Sequence, residues 1–246
     1  DDYIYNSYLS RNINFRWSDH SSVFKSPNKL IYFKRLFEKE GPHTVERIVR
    51  EQPIFQTQGH DQMQFVNLLL EAWPEKFRMI EIIRDPVAQV DSWSKRNWGT
   101  RYGTDPMALT PCFKHKNEAI PFYAYGWEDE YLEISPMDRI IKMLHQLQFG
   151  NRNSYEKLSE DEKTQIMVIR FESFITDTFK YVENIANFLG TTTTRSTKSA
   201  IKKQGCPRHI VPEKRDKAFE LIKKEASKEF LLLLDEMIED YKLDWI

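Results

Sequence analysis

Three short apolar runs, each followed by polar residues and then by a helical pattern, constrain the fold of this chain more than any other feature. The runs are PIFQT at 53–57, RMIEII at 78–83 and TQIMVIRF at 164–171. Runs of this length, bounded by turn residues, predict buried strands. Strands that alternate with helices favour a three-layer α/β fold, in which a central parallel sheet is flanked by helices. Ligands of such folds bind at the carboxyl ends of the strands, so the residues after each run are the first candidates for function.

Helical periodicity predicts the elements around these strands. Apolar residues recur at helical spacing in seven segments: 29–40, 44–51, 62–73, the segment that begins at Pro86, 136–149, 179–189 and 213–241. Pro86 suits a first helical turn, and Gly190 suits the position just after a helix. A polar loop is predicted at 191–212. The stretch 99–135, rich in aromatic residues, is predicted either as a lid over an acceptor or as a loop packed on the core.

Charge and hydropathy narrow the class of protein. The chain of 246 residues has 36 Lys and Arg residues against 37 Asp and Glu residues, which gives a net charge of -1. A basic field over the whole chain, as for nucleic-acid binding, is therefore absent, although a small anionic ligand needs only a local cluster. No apolar run approaches the roughly 18 residues that span a bilayer. The sequence does not predict an oligomeric state.

The two cysteines, Cys112 and Cys206, indicate neither a disulfide framework nor a metal site. There is no CxxC pair and no His and Cys cluster with zinc spacing, so no metal is expected. The cysteines are interpreted as free thiols of a cytoplasmic protein. The alternative is one disulfide in the lumen of the secretory pathway, if an N-terminal targeting segment is removed.

Polar residues with a defined chemistry follow the first two predicted strands. His60 comes just after the first, where a neutral imidazole can act as a general base, or can be a structural histidine. Arg84 ends the second strand and Ser92 follows eight positions later, so the guanidinium and the hydroxyl can converge on one phosphate. The alternative is structural: Asp85 caps a helix, Arg84 forms a salt bridge and Ser92 is exposed.

Basic residues also accompany the third strand and the loop near residue 210. Arg170 ends the third strand and is predicted either to pair with a carboxylate such as Glu172 or to assist a phosphate site. The segment GCPRHIVPEKR at 205–215 is predicted as a flexible basic loop that can close over an anionic nucleotide, or as a solvated loop before a helix. Its basic residues are Arg208, His209, Lys214 and Arg215.

Together these segments resemble the sulfotransferase family, which transfers a sulfuryl group from 3′-phosphoadenosine 5′-phosphosulfate (PAPS). IIRDPVAQVDSW at 82–93 resembles the stretch that binds the 3′-phosphate of PAPS, with its Arg and Ser eight positions apart. IMVIRFESFITDTFKYVENIANFLG at 166–190 resembles the family's strand, Tyr-Glu pair and helix ending in FLG. His60 lies 24 residues before Arg84, close to the spacing of a Lys-Thr-His strand end in the cytosolic branch of the family.

The resemblance implies a P-loop-like fold and a role for each matched residue. Arg84 and Ser92 would bind the 3′-phosphate, and Phe171 would lie beside the adenine, where the family often has Tyr. The basic residues Arg208, Lys214 and Arg215 would close over the nucleotide. His60 would be the catalytic base. Because Gln58 and Gly59 replace the expected Lys-Thr pair, Asp61 stays as an alternative base.

The resemblance also implies a donor loop that residues 1–52 do not contain, namely a Gly-, Ser- and Thr-rich turn around the 5′-phosphosulfate. Residues 1–246 are therefore interpreted as one sulfotransferase domain whose donor-loop segment is missing from this chain. The implied acceptor is a hydroxyl or an amine of a small molecule or carbohydrate, and the product is 3′-phosphoadenosine 5′-phosphate (PAP). The alternatives are a kinase-like phosphoryl transferase and a non-catalytic nucleotide-binding domain.

Overall fold

The structure, a computed structural model, describes residues 46, 49–50, 58–100, 112–243 and 245. The chain divides into two compact units, 1–59 and 60–246, and almost all described residues belong to the second unit. The strand predicted at 53–57 and the helix predicted at 29–40 lie outside the described residues, as does most of the helix predicted at 44–51. The interpretation of 1–246 as a single domain stays a prediction.

The second unit is an α/β structure in which helices predominate. A 3₁₀ turn at Gln62–Phe65 leads into the first helix, and another lies at Phe122–Ala124. The strands are β1 (Met79–Ile83), β2 (Cys112–His115), β3 (Glu118–Pro121) and β4 (Ile166–Arg170). The helices are α1 (Val66–Ala72), α2 (Pro86–Ser94), α3 (Glu128–Glu133), α4 (Pro136–Glu156), α5 (Glu160–Lys163), α6 (Phe171–Thr176), α7 (Thr178–Phe188), α8 (Arg195–Lys203), α9 (Pro212–Glu225) and α10 (Lys228–Lys242).

The two strands predicted at 78–83 and 164–171 are confirmed as β1 and β4. They pair in parallel, with Met79 opposite Ile166 and Ile83 opposite Arg170. In the described part of the chain this pair is the whole parallel sheet, so the structure is α/β and a third strand is not seen there. Because β1 and β4 run in the same direction and end in register, the residues that follow them leave the sheet side by side.

Helix α4 is the central support of the unit, since it packs against α2 on one side and α10 on another. One apolar cluster fills the space between α2, α4, α9 and α10, with completely buried side chains at Val87, Ile141 and Leu234. A second cluster joins α1 and α4 to the sheet. The starts of α2 and α6 are thereby held at the edge where β1 and β4 end.

The long helix predicted at 213–241 is wrong, because the chain forms two helices there. Ala226 and Ser227 adopt extended backbone between α9 and α10. The Ser227 N–H donates to a carboxylate oxygen of the buried Asp138 on α4, at 2.9 Å. A polar group held in the core thus fixes the break, and the periodicity of the sequence does not reveal it.

The predicted loops also contain regular structure. Within 191–212, α8 begins with a reciprocal cap in which Thr194 and Thr197 exchange hydrogen bonds. The low helix propensity of the Thr run explains why a loop was predicted. Within 99–135, β2 and β3 form a hairpin whose turn residues, Lys116 and Asn117, both have positive φ. Gly190 follows α7 with φ of 67°, as predicted.

Two further findings concern the cysteines and the membrane. Cys112 is exposed, Cys206 is half-buried, and both are free thiols. Of the helices in the described residues, none combines the length and the apolar character needed to cross a bilayer.

Candidate active site

The ends of β1 and β4 are tied together through Glu172. One carboxylate oxygen accepts the backbone N–H of Asp85 at 3.2 Å, and the other accepts the hydroxyl of Tyr241 at 2.7 Å. Glu172 therefore links both strand ends to α10. Arg170 contacts this group through Tyr241, because its guanidinium lies over the Tyr241 ring and donates to the carbonyls of Lys242 and Leu243. Its role in a phosphate site stays a prediction.

Asp85 anchors both the start of α2 and the first turn of α9. Its carboxylate accepts the backbone N–H of Ala88 at 2.9 Å, which is an N-cap hydrogen bond. Its other oxygen accepts the Nε of Arg215 at 2.8 Å, and the side chain of Asp85 is only 13% exposed. Arg215 is thereby fixed beside the end of β1. The ion pair of Asp85 is with Arg215 and not with Arg84.

Arg84 is half-buried and no ion pair or hydrogen bond satisfies its guanidinium within the described residues. Its Cζ lies 4.9 Å from the centre of the Phe171 ring, and its Nε is buried without a hydrogen-bond partner. Burial lowers the pKa of Arg84, and the carboxylates of Glu172, Asp85 and Asp91 oppose that shift. An arginine stays charged nevertheless, so a desolvated cation is held here with its donors free for an anion.

The other predicted nucleotide ligands lie on α2, on the loop before α9 and in the first turn of α9. Ser92 is half-buried on α2, and its hydroxyl forms no hydrogen bond with the described residues. The backbone N–H of Arg208 donates to the carbonyl of Ile175 at 2.8 Å, which places the basic loop beside α6. The side chains of Arg208 and Lys214 are exposed, with no ion pair in the part of the chain that the structure describes.

The His60 ring packs edge-on against two tryptophans. Its centre lies 5.6 Å from that of Trp93, the neighbour of Ser92, and 5.5 Å from that of Trp98. The residue keeps an exposed surface, but desolvation against the indoles lowers the pKa of His60 below 6.5, and the positive charge of Arg96 adds to the shift. The imidazole is therefore neutral at pH 7, which is the state that a general base requires.

Asp61, the alternative base, is half-buried beside His60. Its charge partly offsets the lowered pKa of His60 and contributes to a raised pKa of Tyr123, so both rings lie within its electrostatic reach. Tyr123 packs against Trp93 at 6.0 Å and against Phe122 at 4.0 Å. Residues from 60–61, α2 and 122–124 thus converge on one place.

Arg96 is a charged residue of this site that the sequence analysis missed. It is exposed, it forms no ion pair with the described residues, and its charge lowers the pKa of both Arg84 and His60. It follows Ser92 by four positions just beyond α2, and that i, i+4 spacing could have identified it. Arg96 therefore lies within electrostatic reach of both Arg84 and His60.

Glu81 and Asn151 form a second group that the sequence analysis missed. The Nδ2 of Asn151 donates to Glu81 Oε1 at 3.0 Å and to the backbone carbonyl of His60 at 3.2 Å. Burial raises the pKa of Glu81 to about 7, and the hydrogen bond from Asn151 partly opposes the shift. No local sequence signal identifies the pair, because its members lie on β1 and α4.

We expect Glu81→Gln to stabilise the fold above pH 7. The native pKa of Glu81 exceeds its ordinary value of 4.5, so burial of the carboxylate costs nothing below pH 4.5 and its full amount above about pH 7. The full amount is on the order of 3 kcal/mol. Urea unfolding at pH 5 and pH 8 measures it: the variant should gain stability at pH 8 and little at pH 5. Glu75→Gln, on an exposed turn, is the control; equal gains at both pH values would contradict the shifted pKa.

Among the described residues, no group of three or more His, Cys, Asp or Glu side chains could hold a metal ion. A family model described as sulfotransferase domain matches residues 14–230. No curated protein matches the chain. No solved structure matches it either.

Proposed function

This chain belongs to the sulfotransferase family, and we propose that it transfers a sulfuryl group from PAPS to a hydroxyl or an amine of a small molecule or carbohydrate. The observation that carries the proposal is Arg84, a half-buried guanidinium with free donors, at the paired ends of β1 and β4. A fixed anion such as the 3′-phosphate of PAPS would satisfy those donors.

The donor site is proposed to be built around Arg84. The guanidinium binds the 3′-phosphate in a two-pronged contact, and the free hydroxyl of Ser92 adds a third hydrogen bond. Phe171 supports Arg84 from one side and presents the rest of its ring to the adenine. Arg208, on the loop before α9, and Lys214, in the first turn of α9, are proposed to contact the nucleotide, while the ion pair of Arg215 with Asp85 holds the start of α9 in place.

His60 is proposed as the general base, with Asp61 as the alternative. The neutral imidazole accepts the proton of the acceptor's O–H or N–H group as the oxygen or nitrogen of that group attacks sulfur in line with the leaving group. The new bond joins the acceptor to sulfur, and the bond between sulfur and the 5′-phosphate oxygen breaks, so PAP leaves with the electron pair. Catalysis is then mostly positioning and charge stabilisation, as in phosphoryl transfer, and we expect no metal requirement.

The same proposal extends to the rest of the chain. We expect a three-layer, P-loop-like fold over residues 1–246 as a single domain. The aromatic residues near Tyr123 are proposed as part of the acceptor site, since aromatic faces suit a sugar or an apolar ring. A cytoplasmic location is proposed, with the secretory lumen as the alternative.

A transfer assay tests the proposed activity. Full-length protein with ³⁵S-labelled PAPS is offered phenols, amines and oligosaccharides in the presence of EDTA, and labelled products are separated by chromatography. Label on one acceptor class without metal is the expected result. Transfer from ATP that depends strictly on Mg²⁺ would identify a phosphoryl transferase instead, and tight PAP binding without any turnover would identify a non-catalytic domain.

A further inference from the structure

Asn151 lies at the centre of a hydrogen-bond cluster behind His60. Its side chain is 6% exposed, and both of its polar atoms are used. The Nδ2 donates to the His60 carbonyl at 3.2 Å and to Glu81 Oε1 at 3.0 Å. The Oδ1 accepts the Nε2 of Gln64 at 3.3 Å. One buried amide on α4 therefore joins β1 to His60, before the 3₁₀ turn, and to Gln64, within it.

The 3₁₀ turn itself is held by the Gln64 N–H, which donates to the Asp61 carbonyl at 3.0 Å, and by the fully buried Met63. Asp61 is the N-cap of that turn and its side chain makes no capping hydrogen bond, whereas the carbonyl of His60, just before it, is bound by Asn151. A buried amide with satisfied donors and acceptor has one favourable orientation, because any rotation leaves polar groups unpaired in the core. The His60 carbonyl is therefore held at a defined place relative to the sheet.

Gly150 supplies an independent observation of the same cluster. A Cβ at this position would come within 2.7 Å of the Gln64 Nε2, so the absence of a side chain leaves the space in which the Gln64 amide lies. Glycine inside a helix lowers helix stability relative to alanine. Its position beside Gln64 in α4 is accounted for by this close approach.

We propose that Asn151 is a positioning residue that acts through His60. By holding the His60 carbonyl, Asn151 keeps the imidazole edge-on to Trp93 and Trp98, where the ring stays neutral and faces the acceptor. This inference rests on the proposed function, in which His60 is the base. In this proposal Asn151 contacts neither PAPS nor the acceptor, and it is not one of the residues proposed to bind PAP.

The test observes the His60 ring directly. The chain has six histidines, so ¹³C-labelled histidine gives six ring signals, and His60→Gln assigns one of them. Asn151→Leu replaces the amide oxygen and nitrogen by methyl groups and keeps the branching of the side chain. Asn153→Leu, the same change at an exposed position two residues further along α4, is the control. Asp61 and Arg96, whose charges also act on the imidazole, are kept in every variant.

In Asn151→Leu we expect the ring-current shift from the indoles to shrink and the pKa of His60 to rise toward its ordinary value. PAP affinity should stay within about two-fold, and kcat should fall about ten-fold, a part of the contribution of a general base. The control should change none of these. Gly150→Ala, which displaces Gln64 alone, should give a smaller shift of the same signal and keeps the test open if Asn151→Leu fails to fold.

Unchanged His60 signals in folded Asn151→Leu, or in Gly150→Ala if Asn151→Leu does not fold, would overturn the positioning role. That outcome differs from failure of the proposed function. If His60 is not the base, His60→Ala keeps its kcat although Asn151→Leu still moves the ring signal. If Asn151 is only structural, His60→Ala lowers kcat, while the His60 ring signal of Asn151→Leu is the same as in the wild type.

Discussion

His60→Ala is expected to lower kcat by about 100- to 10,000-fold, the range of a general base, and to leave PAP affinity unchanged. The reason is that the imidazole is held neutral against Trp93 and Trp98 and is not one of the residues proposed to bind PAP. Steady-state turnover with the acceptor from the transfer assay measures kcat, and calorimetry with PAP measures affinity. His145→Ala is the matched control, because His145 pairs with Glu236 on the other side of α4.

The pH dependence of kcat tests the same assignment of His60 as the base. The base must be neutral, and desolvation lowers the pKa of His60, so wild-type kcat should rise with pH through a value below 6.5 and be level above it. Full turnover in His60→Ala, together with loss of turnover in Asp61→Asn, would assign the base to Asp61. Full turnover in both variants would exclude general-base catalysis from this part of the site.

Arg84→Ala is expected to weaken PAP binding about 100-fold, which corresponds to the loss of charged hydrogen bonds worth about 3 kcal/mol. The same change should not lower the melting temperature, because Arg84 gives up no ion pair and its burial is a cost to the fold. Calorimetry and thermal unfolding measure the two effects. Arg78→Ala, at the other end of β1, should leave PAP affinity unchanged.

Arg84→Lys separates charge from geometry at the same position. Lysine keeps the charge but lacks the planar fork, so its PAP affinity should fall between those of wild type and Arg84→Ala. A melting temperature that drops sharply in Arg84→Ala while PAP affinity stays high would show that Arg84 is a structural residue.

The sequence predicted those parts of the fold and site that local pattern determines. The apolar runs of β1 and β4 are short and bounded by turns, and Pro86 begins α2 as expected. Because Arg84 and Phe171 directly follow strands that pair in register, their proximity follows from the pairing. Asp85 was expected as a helix cap and is one, but the salt bridge that the structural alternative gave to Arg84 is absent among the described residues.

The features that the sequence did not predict depend on contacts between distant segments. Asn151 meets Glu81 across 70 positions, and Ser227 meets Asp138 across 89 positions, so neither contact leaves a periodic signal. The start of α8 was hidden by the poor helix propensity of its Thr run, which the reciprocal cap of Thr194 and Thr197 overrides.

Recognition of the 3′-phosphate by Arg84 is the central claim, and comparing PAP with adenosine 5′-monophosphate tests it most directly. The two nucleotides differ only in the 3′-phosphate. Calorimetry with EDTA should show that wild-type, full-length protein prefers PAP by about 100-fold, and that Arg84→Ala loses most of this preference. Equal affinity of the wild type for both nucleotides, or a preference for PAP that survives in Arg84→Ala, would contradict it.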